Sequence, residues 1–143
     1  MDKQIVLISE NDLHYKVVDF ISSKFPELVV VPGLGELQKT AQQRSDAWSK
    51  GYVGGQPDLL ILNQTSRRNG FAIELKTPKG DGVLSTKQMD YLERLRLLNY
   101  KTMVSNDYDE IVIELTKLCL DLRFPCRCCT RVFKSKEFLV RHF

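Results

Sequence analysis

The chain has 143 residues, 43% of them apolar and 27% charged, a balance that suits one globular domain with a small appendage. No apolar run approaches the roughly 18 residues of a membrane span, and residues 1–7 lack the basic and apolar regions of a secretory signal, so an intracellular protein is expected. The net charge of +3 is unevenly spread: from Lys117 onward seven Lys or Arg stand against two acids, whereas the residues before it carry fourteen against sixteen. A basic tail of this kind either raises affinity for phosphate backbones without selecting a sequence or only aids solubility.

Ser9-Glu10-Asn11-Asp12 has the form of a capping box and predicts a helix to about Phe25. Glu10, His14, Val17 and Ile21 share one stripe, so an acid begins an otherwise inward face. Glu10 is either a first-turn acid favoured by the helix dipole or a functional group, and His14 reads as a packing residue with a polar partner. Residues 27–32 contain Leu28-Val29-Val30-Val31, a short buried strand by length and branching. Residues 37–50 read as a second helix with Leu37, Ala41, Arg44 and Trp48 on one stripe and Gly51 placed to end it. That helix could touch nucleic acid through Arg44 and Lys50, although a solvated face accounts for both more simply. Gly51-Tyr52-Val53-Gly54-Gly55 then gives a flexible approach with room for a phosphate backbone.

Residues 54–76 are the centre of the chain, because two short apolar runs each deliver an acid that burial of the run does not require. Asp58 opens one run, and Glu74 with Lys76 closes the other. Strand alternation sets Phe71, Ile73 and Leu75 on one face and Ala72, Glu74 and Lys76 on the other. Residues 63–70 between the runs are polar and end in Asn-Gly, which predicts a turn joining two antiparallel neighbours and brings Asp58 towards Glu74. Two carboxylates and an ammonium converging on one pocket suit a hard divalent cation, Mg²⁺ or Mn²⁺, and metal-assisted phosphodiester hydrolysis. Lys76 can orient the attacking water or stabilise charge building on phosphate. The competing reading makes Asp58 a turn acid and Glu74 and Lys76 the wet face of a half-exposed strand.

Thr77-Pro78-Lys79-Gly80-Asp81-Gly82 is a loop of turn residues. Ser85 and Gln88 form a second capping box, with Leu84 and Met89 as its hydrophobic staple, and the helix runs to about Leu98. Met89, Leu92, Leu95 and Arg96 mark its inward side, and Asn99 can take the left-handed stop. Gln88 falls in the first turn, near the end of the Glu74 strand; Lys79 and Lys87 can contact phosphate or simply be solvated. Residues 100–104 form the last strand, and Asp107 caps a final helix through about Leu122 with Ile111, Leu115, Leu118 and Leu122 on its apolar stripe.

Gly55-Gln56-Pro57-Asp58, Glu74-Leu75-Lys76, Ser85-Thr86-Lys87-Gln88-Met89-Asp90-Tyr91-Leu92 and Leu98-Asn99-Tyr100-Lys101, in this order, resemble the PD-(D/E)XK nucleases and most of all their VRR-NUC (virus-type replication-repair nuclease) domain. The resemblance implies an α/β fold, a restriction-endonuclease-like αβββαβ core with a central mixed sheet, over residues 1–122, with the helix at 37–50 as an insertion. It also implies a catalytic set of Asp58, Glu74 and Lys76, joined by Glu10 as the first-helix acid and Gln88 as an orienting group. Stand-alone domains of this kind act on branched DNA as dimers, so junction-resolving or structure-selective cleavage by a homodimer is what the resemblance implies.

Residues 123–143 resemble an incomplete C2H2 zinc finger. Cys126-x2-Cys129 is followed by Phe133 and Leu139 at the core positions and by His142, and Arg131 and Lys134 are available to nucleic acid. The second histidine is missing, so a fourth zinc ligand must come from Cys128, water, another chain or a longer parent protein. The other reading is a basic terminal helix packed on the body, with Cys119 a small apolar residue of the preceding helix. The expected protein is therefore a divalent-metal-dependent endonuclease acting on DNA; its competitors are an inactive nucleic-acid-binding protein and a zinc-finger adaptor on the same fold.

Overall fold

The computed structural model describes residue 7 and residues 9–33, 35–80, 82–125 and 131–134. Strands β1 (Val30–Pro32), β2 (Leu59–Ile61), β3 (Gly70–Leu75) and β4 (Tyr100–Ser105) form one sheet in that spatial order. The β1–β2 and β2–β3 pairs are antiparallel and β3–β4 is parallel, so the sheet is mixed. Helices α1 (Glu10–Lys24), α3 (Thr86–Leu97) and α4 (Tyr108–Leu120) flank it, and α2 (Ala41–Ser49) is inserted between β1 and β2. A final antiparallel pair, β5 (Phe124–Pro125) and β6 (Val132–Phe133), follows α4. The αβββαβ order is the expected one. No described helix is long and apolar enough to cross a membrane.

Each face of the sheet has its own cover. Leu13, Val17 and Ile21 of α1 and Ile111, Leu115 and Leu118 of α4 pack with Leu59, Ile61, Phe71, Ile73 and Leu75 in the main core. Spacing of three or four residues places each helical set on one stripe, which this face of the sheet removes from water. On the opposite face Leu92 and Leu95 of α3 cover Ala72, with Leu60, Leu84, Tyr91 and Tyr100 at the margin. Because β3 lies between β2 and β4 and under helices on both sides, all six of its residues are buried. The alternating pattern of residues 71–76 therefore does not mark a wet face.

Local chemistry accounts for the boundaries. Ser9 Oγ accepts from the Asp12 amide and Asp12 Oδ2 accepts from the Ser9 amide, both at 3.1 Å, which starts α1 as expected. Gly51 and Asn99 both take the left-handed conformation, at φ 101° and 62°, after α2 and α3.

Three expectations need correction. The helix expected at 37–50 is a 3₁₀ turn at Gly35–Leu37 followed by α2, because Thr40 and Gln43 form their own capping box and start the helix afresh. No residue of α2 is buried, and Leu37 and Trp48 are exposed, so the stripe of Leu37, Ala41, Arg44 and Trp48 adds nothing to the core. The strand expected at 27–32 is an edge strand of three residues with Val29 and Val31 exposed. On α3 the buried residues are Leu92 and Leu95, with Gln88 and Tyr91 half-buried beside them; Met89 and Arg96 are exposed.

Candidate active site

Register brings the acids together. Leu59 pairs with Ile73, so Asp58, one residue before β2, faces Glu74 further along β3. Residues opposite each other across antiparallel strands project from the same face. Asp58 Oδ2 accepts the Leu75 amide proton at 2.8 Å, which ties the end of β3 to the start of β2. Lys76 follows β3 directly, and its backbone amide donates to the Ser105 carbonyl at 2.9 Å, so the lysine remains in line with the sheet.

Glu74 is 3% exposed. Its Oε1 accepts from Gln88 Nε2 at 2.6 Å and lies 3.9 Å from Lys76 Nζ. Its Oε2 is buried without a well-formed hydrogen bond to any described residue. Burial first, then the negative charge of Asp58, push the Glu74 carboxyl from 4.5 up to about 8; Lys76 opposes the shift, and a carboxyl-to-carboxyl interaction with Asp58 and then the charge of Glu10 add to it. A buried acid with one oxygen in no well-formed hydrogen bond and a second acid opposite it is a costly arrangement for a core. A hard divalent cation fits these donors, since it takes carboxylate oxygens and replaces the proton that burial otherwise forces onto Glu74.

Gln88 bonds both to the cap of α3 and to Glu74. Its Oε1 accepts the Ser85 amide at 2.9 Å, closing the cap of α3, while its Nε2 holds Glu74. The same Oε1 accepts from Lys76 Nζ at 3.3 Å, and the Val83 carbonyl accepts from that ammonium at 3.2 Å. Val83 acts through its backbone, so no side-chain pattern could have announced it. Glu10 is half-buried at the start of α1 and close enough to raise Glu74, but no three acids, histidines or cysteines of the described residues form a metal-holding group. The arrangement is a pair of acids with a lysine and a glutamine.

The approach to Asp58 is not loose as expected. Gly55 has φ 87°, and a β-carbon on it would overlap the Lys87 carbonyl and sit 2.8 Å from the Gln88 amide nitrogen. The glycine is required because the loop's backbone lies against the first turn of α3. Lys79 and Lys87 are exposed, as are Arg44, Arg131 and Lys134. Arg44 Nη1 donates to the Lys39 carbonyl at 3.4 Å, and Lys87 Nζ stands 5.7 Å from the Trp48 ring centre. Of these cations only Lys87 shares a turn with a residue of the acid pair's surroundings. Burial and then the charge of Glu27 push the Cys119 thiol up to about 12, as suits a packing residue. Cys126, Cys129 and His142 lie outside the described residues.

A mixed sheet carrying Asp58, Glu74 and Lys76 at one end, under a helix that supplies Gln88, defines a nuclease-type α/β fold of the restriction-endonuclease kind. The VRR-NUC domain model matches residues 13–106, and the chain belongs to that family. The match includes Asp58, Glu74, Lys76 and Gln88 and begins after Glu10. A solved structure described as "VRR_NUC domain protein" is 17% identical with a TM-score of 0.64, covering 80% of this chain and 90% of that one. No curated protein matches the chain.

Proposed function

We propose that the chain is a divalent-metal-dependent endonuclease that hydrolyses phosphodiester bonds of DNA, with preference for branched structures and action as a homodimer inside the cell. The observation that carries the reading is Glu74: buried, opposite Asp58, with Oε2 in no well-formed hydrogen bond. Asp58 and Glu74 are the residues that would hold Mg²⁺ or Mn²⁺. When bound, the cation supplies charge neutralisation at the phosphate and a water acidic enough to attack it.

The chain's own groups prepare that attack. Gln88 Nε2 donates to Glu74 Oε1 and fixes the plane of that carboxylate, and Asp58 is held by the Leu75 amide, so neither acid must reorient as substrate enters. Lys76 is steered by Val83 and Gln88 and offers its ammonium to the attacking water or to the charge that builds on phosphate as the P–O bond breaks. Glu10 tunes Glu74 from a distance. Lys79, Lys87, Arg44, Arg131 and Lys134 supply exposed positive charge for a phosphate backbone. Residues 123–143 enter the reading as an incomplete finger holding Zn²⁺ through Cys126, Cys129 and His142, supported by their spacing in sequence.

The test is cleavage, with Mn²⁺, of fluorescent four-way-junction, flap, duplex and single-stranded DNA by the wild type and by Asp58→Ala and Lys76→Ala. The wild type is expected to cut branched DNA fastest, and each variant to lose at least about a hundredfold in rate. Equal cleavage by all three proteins would sink the site; no cleavage by any would leave a binding protein.

A further inference from the structure

Helix α2 is capped at both ends yet buries none of its residues. A helix that adds nothing to the core stays ordered only through contacts at its margins. Here those contacts present an aromatic pair: Trp48 is 50% exposed, and Tyr52 meets it edge-on at 5.9 Å and 85°. Trp48, braced by Tyr52 from outside, bounds with α3 a groove of about 420 Å³ whose lining includes Trp48, Gly54, Lys87, Asp90, Tyr91 and Arg94. Next to Gly54 of the lining, the Gly55 backbone lies close against the Lys87 carbonyl, so the groove adjoins the turn that carries Gln88, which holds Glu74.

We infer that this groove receives an unpaired nucleobase of the strand whose phosphate lies at the Asp58–Glu74 pair. The inference rests on the nuclease reading and names the feature of the substrate that the site selects. Its volume falls in the range of small-ligand sites. Lys87 and Arg94 are matched there by Asp90 and Glu93, a balance unsuited to an anionic backbone alone but suited to a neutral heterocycle with donors and acceptors on its edge. The indole supplies a stacking surface, and Lys87, 5.7 Å from its ring, is placed for the adjoining phosphate. A paired base cannot enter without leaving its stack, so DNA with unpaired nucleotides beside the scissile bond is favoured.

Trp48 is the chain's one tryptophan, so its emission reads the groove directly. Full-length protein in EDTA, where cleavage plays no part, is titrated with oligothymidylate and with an abasic strand of equal length. The base-bearing strand is expected to quench emission and the abasic strand to leave it nearly unchanged. By anisotropy of labelled strands, Trp48→Ala should weaken binding of the base-bearing strand by about tenfold and of the abasic strand by less than about twofold, with Trp48→Phe close to wild type. Unaltered emission, equal quenching by both strands, or undiminished binding by Trp48→Ala overturns the inference. Cleavage with Mn²⁺ is measured separately; quenching without cleavage would keep the groove and sink the nuclease reading.

Discussion

Replacing Glu74 with glutamine should destroy cleavage and, at alkaline pH, stabilise the metal-free protein. The carboxyl is raised from 4.5 to about 8, foremost by burial, so between those values the folded chain holds a proton that the unfolded chain has released. Stability from this group is fully present below pH 4.5 and is lost as pH rises through about 8. At about 1.4 kcal/mol for each tenfold change in proton affinity, the loss amounts to at most about 5 kcal/mol by pH 9. Glutamine keeps an oxygen for Gln88 and has no proton to lose. The variant should therefore match the wild type within about 1 kcal/mol at pH 5 and exceed it by several at pH 9, on the order of 10 °C in Tm for a chain of this size. Thermal melts in EDTA from pH 5 to 9 measure the difference. Added Mn²⁺ should raise the wild-type Tm and leave Glu74→Gln unmoved, since only a ligand of the folded state stabilises it. Parallel pH profiles for the two proteins, or a variant less stable at pH 9, would refute the account of Glu74 as a buried, strained acid.

Gly55→Ala should cost several kcal/mol and depress cleavage together, because its β-carbon would overlap the Lys87 carbonyl at a φ of 87° and push the Gln88 turn off Glu74. Denaturant melts and single-turnover cleavage read the two effects, and a variant of wild-type stability would remove this close approach from the account. Metal analysis of protein prepared without added zinc tests residues 123–143: about one zinc per chain is expected, with loss on Cys126→Ser, and zinc-free wild type would leave a packed terminal segment instead.

Much of the architecture can be read in short stretches of chain. The capping boxes at Ser9 and Ser85, the left-handed Asn99 and the apolar stripe of α4 depend on residues three or four apart, and each is where the pattern placed it. The approach of Asp58 to Glu74 is nearly as local, since a polar turn between two short strands leaves one register that buries Leu59, Ile61, Phe71 and Ile73 together. The Thr40–Gln43 box is equally local, but a stripe that runs continuously over residues 37–50 masks it in the sequence.

Alternation in residues 71–76 told which side chains share a face but not what covers that face. Only the folding of α3 over β3 turned Glu74 from a solvated acid into a buried one, held it with Gln88 and left Oε2 in no well-formed hydrogen bond. The same holds for α2, whose residues share a stripe in sequence but are none of them buried, because α3 meets that helix only across an open groove. Hydrogen bonds within a turn are written in neighbouring residues. Burial depends on segments distant along the chain, and with it the electrostatics that make an acid functional.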